Sequence, residues 1–471
     1  MRYRAGKKHI DDKSDKQTVS INDYPLNSDK LNRMKKFLGT NNINLHCINI
    51  DERGMVGQGL LAWMSSRMAY VTGLLLNRDI PLTEIPAFGY IPIVNLCGDH
   101  FQLGPIGDFS LISAPPSHSS PVQRYGFAVY QIIERVIILD EIMRQKPSQQ
   151  DFITLLNHVR LGEITQCDWE TINSRSIHNL TENEKEIFAG QRSITLTETW
   201  SVANDYNYNA IMKINTPVAV IVSEGKGYHH KKESDMGQIP TVCVICVGQR
   251  VMLTKNQEEL LTQGLNNGAV GTVRTIYYAA GERPPSLPQY FVVEFPDYHG
   301  PVSIPGYPKF VPLSPDVGYC EDYCCMRRGI PLIPAYAISI CKSQGMNIGE
   351  GRTIEKCKIH LSDDIRMETL NLGLTYTALS RVSEFTDIAL ANAIPFSRLE
   401  CINVNKGMAG RKKEMERLEK LQVATLRNIT CTVSDYIDLL RKIDEVCDDN
   451  IRDGICDNDP NKCLCVQHQS S

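Results

Sequence analysis

No stretch of about 18 apolar residues occurs in the chain, so no segment has the length of a membrane-crossing helix. The opening Met1-Arg2-Tyr3-Arg4-Ala5-Gly6-Lys7-Lys8 carries charge with no apolar segment behind it, which is not the pattern of a secretory signal. Neither sign of charge is in excess. Fifty Lys and Arg against 54 Asp and Glu give a net charge of -4 and a pI near 6.3. That excludes a uniformly basic nucleic-acid coat, but not a local basic groove. Internal repeats and low-complexity tracts are absent as well, which excludes solenoids and compositional linkers. Cysteine is not scarce, at sixteen residues. Most, such as Cys47, Cys97, Cys341 and Cys357, sit singly in apolar runs and read as buried free thiols. The expected compartment is the nucleus or cytosol.

The 471 residues are 42% hydrophobic and 22% charged, the make-up of a globular chain. At about 100–200 residues per domain this length predicts two to four domains. Ile43 to Ile50 forms a short apolar run closed by Asp51-Glu52. Ile91 to Cys97 closes with Gly98-Asp99, and Val136 to Leu139 closes with Asp140-Glu141. Such runs, separated by helix-length text, predict buried parallel strands of an α/β domain with functional residues at their C-terminal ends. Residues 152–160 have helical spacing, 193–199 read as a strand, and 249–253, 269–278 and 290–295 are β-rich. The α/β text returns at 335–340 and 371–392. Residues 411–429 and 434–447 predict amphipathic helices, the second with Ser434 as N-cap.

An acidic pair after a buried strand can hold Mg²⁺ through water and polarise an attacking water. Asp51-Glu52 leads into an amphipathic helix through Leu60, Leu61, Trp63, Met64 and Met68. Asp140-Glu141 runs at once into Ile142-Met143-Arg144-Gln145, a cationic element, so the first pair is the better metal site. In Gly98-Asp99-His100-Phe101-Gln102-Leu103, a Gln on a post-strand turn can both donate and accept toward a phosphate or its water. Arg144, and Arg381 in Ala378-Leu379-Ser380-Arg381-Val382, can offset charge developing in phosphoryl transfer. Lys342-Ser343-Gln344-Gly345 follows a strand and can grip a phosphodiester backbone without reading bases. Taken singly, each of these reads more readily as a solvated turn or a surface ion pair.

Their order is specific: strand-DE, GDxxQL, ExMRQ, VMLxKN with NNGA, KSQG and ALSRV. Together they resemble the superfamily 1 group B DNA helicases of the petite-integration-frequency (Pif) type, and the helicase half of Helitron transposons in particular. The resemblance runs from about Leu31 to Ala391. It implies an α/β fold of two RecA-like P-loop NTPase lobes, with ATP between them and an SH3-like β-barrel inserted in the second. It also implies 5′→3′ translocation on single-stranded DNA, unwinding at duplex junctions and no membrane partner. A monomer is favoured. Carried over, Asp51 matches the magnesium position and Glu52 the catalytic carboxylate. Gln102 matches the phosphate sensor, Arg144 and Arg381 the arginines reaching across the cleft, and Gly345 the nucleotide side of its turn. Lys342, Ser343 and Gln344 match the segment coupling nucleotide state to DNA. The implied division is 1–30, a flexible segment; 31–142, a partial first lobe; 143–265 and 331–400, the second lobe; 266–330, the β insertion; and 401–471, a helical tail. Repair, recombination, telomere maintenance and transposition are the pathways implied.

The departures concentrate at one end. A P-loop needs G-x-x-x-x-G-K-[ST], and neither Gly6-Lys7-Lys8 nor Gly225-Lys226-Gly227 provides it. Only 50 residues precede Asp51, so the expectation is an N-terminally truncated chain, inactive alone, whose first lobe exposes apolar edges. The rival expectation is a non-catalytic remnant that binds single-stranded nucleic acid. Gly54, His100, Gly104 and Cys341 also depart from the residues usual at their positions. Three cysteine groups are discounted as metal sites. Cys243 and Cys246 sit three apart on a strand and so point to opposite faces. Cys447, Cys456, Cys463, Cys465 and His468 fit no common spacing, and Cys320, Cys324 and Cys325 fall in the β insertion.

Overall fold

The computed structural model describes residues 31–32, 34–35, 45–75, 86–89, 91–227, 230–320 and 324–428. The expected flexible segment 1–30, the helix at 434–447 and the tail cysteines lie outside the described residues. No described helix is long and apolar enough to cross a membrane. The strands are β1 Cys47–Ile50, β2 Ile93–Leu96, β3 Ser193–Thr197, β4 Val218–Val222, β5 Glu224–Lys226, β6 Val242–Cys246, β7 Arg250–Leu253 and β8 Val270–Tyr277. They continue as β9 Tyr290–Glu294, β10 Phe310–Leu313, β11 Asp316–Tyr319, β12 Met326–Gly329, β13 Leu332–Pro334, β14 Ala337–Ser339, β15 Lys356–His360 and β16 Ile388–Leu390.

The chain divides into two units, Met1–Ile132 with Glu141–Lys413, and Ile133–Asp140 with Glu414–Ser471. In the first, β1 and β2 pair in parallel, with Ile50 opposite Leu96. Helices Gln58–Leu75 and Pro121–Gln131 flank them. The second of these starts on a capping box, Ser120 with Gln123, and has Pro121 in its first turn. β2 is half open to solvent, with Ile93 50% exposed. A second parallel sheet has the order β14-β3-β15-β16. Its central β3 is buried at every position, as parallel strands covered on both faces are. This is a mixed α/β architecture with parallel sheets.

Between these parallel strands lies antiparallel structure: a five-stranded sheet β10-β9-β8-β7-β13, a three-stranded sheet β11-β12-β5 and the pair β4-β6. Val251, Leu253, Val273, Phe291, Val293, Phe295 and Leu332 form its core. These strands draw on residues 218–253 and 332–334 as well as on 266–330, because β7 pairs with both β8 and β13.

Two expectations need correction. Residues 136–139 form no strand. Within the second unit the Val136 N–H donates to Thr425 Oγ1 at 3.0 Å and the Ile138 N–H to Gln422 Oε1, both on helix Lys406–Asn428. Side-chain acceptors thus replace a strand ladder, and Ile137 and Leu139 are exposed. Of the thiols read as buried, Cys357 is buried, Cys47 and Cys341 are half-buried, and Cys97 is exposed because it closes a strand with no neighbour on that side among the described residues.

Candidate active site

β1 and β2 end side by side, so the turns after them open on one edge. The Cys97 N–H donates to Ile50 O and the Arg53 N–H to Cys97 O, both at 2.8 Å, zipping the turns together. Gly98 permits this approach: its φ is +135°, and a Cβ there would lie 2.8 Å from the Arg53 nitrogen. Asp51 is exposed at the strand end, its Oδ1 accepting the Glu52 N–H at 2.8 Å. Glu52 adopts the left-handed region, φ 52° and ψ 47°. For a residue with a Cβ that costs about 1–2 kcal/mol, a strain kept where a side chain must be aimed. Burial pushes the Glu52 carboxyl above its ordinary value. Arg381 and Arg144 pull it back down, while Asp51 and Asp99 add to the rise.

Arg381 follows the short helix Leu374–Leu379 and is fully buried. Its Nε donates to Thr377 O at 2.9 Å and its Nη2 to Ser380 Oγ at 3.0 Å and Gln102 Oε1 at 3.5 Å. Its Nη1 is buried with no partner. Burial, then repulsion from Arg144, lowers its pKa to about 10. Arg144 donates through Nη1 to Ser380 O at 2.9 Å and through Nε to Asn347 Oδ1 at 2.7 Å, and burial lowers its pKa as well. Glu52, Gln102, Arg144 and Arg381 thus converge beside Asp51. Two guanidiniums lie close enough to a half-buried carboxylate to shift its pKa, and one guanidinium N–H is left over. That is a site for an anion with three or more oxygens.

The donor chemistry of these groups suits an anionic oxygen, and the exposed Asp51 beside them would hold Mg²⁺ through water.

On the other side of β14 the chain turns through Ile340–Ser343. The Lys342 ammonium donates to Asn267 Oδ1, and the Asn267 N–H donates to Asn256 Oδ1 at 2.6 Å. Three sequence-distant polar motifs therefore meet at one corner. Gln344 has both amide atoms buried without a partner, and Gly345 is exposed at φ +80° with open space around it. Ser343 corrects the sequence reading. It is fully buried and its hydroxyl donates to Ile340 O at 2.7 Å, so it fastens the turn and offers nothing to a ligand.

No family model matches the chain. Among curated proteins it is 25% identical over 391 residues to the ATP-dependent DNA helicase PIF7 of Trypanosoma brucei brucei, covering 73% of this chain and 36% of that protein. It is 25% identical over 320 residues to the ATP-dependent DNA helicase PIF1 of Xenopus laevis, covering 65% of this chain and 42% of that one. Among solved structures it matches the Pif1 helicase of Candida albicans with a TM-score of 0.57 and 24% identity, over 82% of this chain and 80% of that. Bacteroides Pif1 bound to single-stranded DNA matches with a TM-score of 0.57 and 17% identity, over 84% and 79%. The chain is similar to the Pif1-type helicases. It shares their RecA-like fold, and it spans well under half the length of the two curated relatives.

Several residues that build this site carry no motif signal. Arg160, on helix Gln150–Leu161, grips Asp99 with Nε and Nη2, both at 3.1 Å, and its guanidinium lies 4.2 Å from the Phe101 ring centre. The Tyr376 hydroxyl donates to the same carboxylate at 3.2 Å. Burial opposes the Asp99 charge, but Arg160 holds its pKa below the ordinary value. Arg411 donates to the carbonyls of Phe101, Gln102 (2.9 Å) and Leu372 (2.8 Å). His100 Nδ1 accepts from Arg53 at 3.0 Å, which leaves Nε2–H to donate to Arg411 O at 3.0 Å. Each pair is separated by tens to hundreds of residues. Only an Asp in the GDxxQL text, needing a cation once buried, could have hinted at one of them.

Proposed function

We propose that this chain carries the phosphate-sensing and DNA-gripping parts of an ATP-dependent DNA helicase that moves 5′→3′ on single-stranded DNA, and that these 471 residues do not hydrolyse ATP alone. The observation that supports the reading best is the convergence of Arg381, with its unpartnered Nη1, Arg144 and Gln102 on Glu52. ATP, when bound with Mg²⁺, supplies the free energy of such a motor. Toward a phosphate held there, Arg381 Nη1 would donate to an anionic oxygen, Gln102 would orient a water or phosphate, and Glu52 would take up a proton at its carboxylate. Lys342 of the Lys342–Asn267–Asn256 corner lies five residues before Asn347, whose side chain accepts from Arg144 at 2.7 Å, so one turn supports a link between phosphate-side and DNA-side groups. The curated relatives are named as ATP-dependent DNA helicases, and one Bacteroides neighbour was solved with ADP-AlF3 and single-stranded DNA. The reading also draws on an SH3-like character for the antiparallel region and on a role at duplex junctions.

The test is fluorescence anisotropy with a labelled oligonucleotide, paired with an ATPase assay with and without DNA. Binding of single-stranded DNA without stimulated hydrolysis is expected. Robust hydrolysis, abolished by Glu52→Gln, refutes the inactivity; absence of DNA binding refutes the DNA-gripping role. A second reading, a non-catalytic single-strand-binding protein derived from such a helicase, is favoured by the lack of a P-loop signature within the sequence. Joining a P-loop-bearing first-lobe segment to this chain separates the two. The motor reading expects turnover that Arg381→Ala abolishes while DNA binding persists.

A further inference from the structure

We propose that Cys320, Cys324 and Cys325 bind one soft divalent metal ion, zinc by preference, at the tip of the β11–β12 hairpin. Tyr319 and Met326 are the last paired residues of that hairpin, so Cys320 and Cys325 continue it side by side. The Cys320 N–H donates to Cys325 O at 3.1 Å, and the Cys325 N–H donates to Cys320 Sγ at 3.2 Å. Cys324 Sγ lies 3.5 Å from Cys320 Sγ and 3.4 Å from Cys325 Sγ, and all three sulfurs fall within 4.8 Å of one another. Zinc binds thiolates at about 2.3 Å, so two sulfurs on one tetrahedral ion stand about 3.8 Å apart. The three thiols are therefore gathered to nearly the spacing a single ion imposes. Sequence spacing alone hid this, because C-x-x-x-C-C matches no common finger pattern; a hairpin tip, not a helix or knuckle, brings the sulfurs together.

The surroundings fit a ligand set. Cys320 is buried against Met236, Cys325 is half-buried beside it, and Cys324 is exposed, so one side is fixed and the other is an entry path. The backbone N–H on Cys320 Sγ is the kind of outer donor that orients and stabilises a metal-bound thiolate. β12 also pairs with β5, Met326 opposite Lys226, and this brings Gly227 to the cluster: a Cβ there would lie 3.0 Å from Cys325 Sγ. A water on the open side beside the exposed Cys324 completes the tetrahedron. The ion would pin the end of β11, whose Asp316 and Val317 carbonyl both hold Lys255 at 2.8 Å, next in sequence to Asn256 of the proposed DNA corner. Binding displaces the thiol protons, so affinity rises with pH.

The test uses the full chain, reduced and metal-free, titrated with Co²⁺ and then Zn²⁺. One equivalent of Co²⁺ should bind, with a thiolate-to-cobalt charge-transfer band and the intense visible bands of a tetrahedral site, and Zn²⁺ should displace it. Cys324→Ser changes an exposed thiol, so the fold survives. It should remove about one third of the charge-transfer intensity and weaken binding about tenfold or more. Cys167→Ser, an exposed thiol elsewhere, should change nothing. Serine at Cys447, Cys456, Cys463 and Cys465 together should leave the spectrum intact. No stoichiometric cobalt spectrum, a spectrum unchanged by Cys324→Ser, or one lost with the tail cysteines would each overturn the proposal.

Discussion

Replacing Arg160 by Met should expose how the GDxxQL turn is held in place. The substitution keeps most of the volume over the Phe101 ring but removes both hydrogen bonds to Asp99, each 3.1 Å. Breaking a buried pair from one side costs about 3–5 kcal/mol, because the remaining charge is stranded. Both side chains here retain 21% exposure, and Tyr376 still donates to the carboxylate, so about 2–3 kcal/mol is expected. Asp99→Asn with Arg160→Met removes both charges and should cost less than Arg160→Met alone. A double-mutant cycle by urea denaturation, followed by tryptophan fluorescence, then gives a coupling near 2 kcal/mol. The pH dependence carries the sign. With Arg160 present, the folded Asp99 pKa lies below its ordinary 3.8, and its stabilisation is lost as pH falls through that lowered value. Without Arg160, burial leaves the folded pKa above 3.8. The variant should then recover stability as pH falls from neutral toward that value. A coupling below about 0.5 kcal/mol, or a deficit that does not shrink on acidification, would refute the reasoning.

His100 is buried neutral with its pKa lowered to about 4 by burial and the neighbouring Arg53. Its contribution is therefore lost as pH falls from about 6.5 to about 4, by at most about 3 kcal/mol, and His100→Gln should flatten that part of the stability profile. Gly373 stands at φ +92° with Phe101 O only 2.4 Å from where a Cβ would sit. Gly373→Ala should cost about 2 kcal/mol or more, read as a lowered Tm, and a change under 0.5 kcal/mol would show that the contact is loose. Lys342→Ala should weaken single-stranded DNA binding alike for all sequences and reduce the slope of log K against log salt by about 0.7; an unchanged slope would remove Lys342 from the phosphate contacts.

How much of this was legible in the sequence depends on the range of the interaction. The parallel strands β1, β2 and β3 announce themselves because buried strands are short apolar runs closed by turn residues, a local signal. The run 136–139 carries the same signal and forms no strand, since its backbone donors go to Thr425 and Gln422, nearly 290 residues away. Apolar content says that a segment wants cover but not what covers it. The thiol of Cys97 shows the same limit from the other side: it belongs to an apolar run, yet it is exposed.

The site divides along the same line. Asp51, Glu52, Gln102 and Arg381 stand out because each sits just after a strand or helix, whereas Arg144 lies in a segment without regular structure and stands out only through the ExMRQ text. Asp99 was quoted without a role, and Arg160, Tyr376 and Arg411 were invisible, because what each does is satisfy another buried polar group. Yet these hidden residues decide whether the legible ones work. Arg411 holds the carbonyls of Phe101 and Gln102, and Arg160 holds Asp99 three residues earlier, so the Gln102 side chain meets Arg381 from a braced turn. Bracing is necessary for a physical reason. Arg144 and Arg381 repel each other, the second has an N–H with no partner, and Glu52 is held in a strained backbone state; none of these is the minimum-energy choice for an empty pocket. A scaffold that stabilises such an arrangement before any ligand arrives leaves an anionic ligand to relieve the repulsion and satisfy the orphaned N–H, which is preorganisation by electrostatics. Its cost falls on the stability of the turn, so substitutions at Arg160 and Gly373 should move stability and ligand affinity together, whereas Arg381→Ala should lower affinity for a phosphate analogue while leaving the fold as stable or more so.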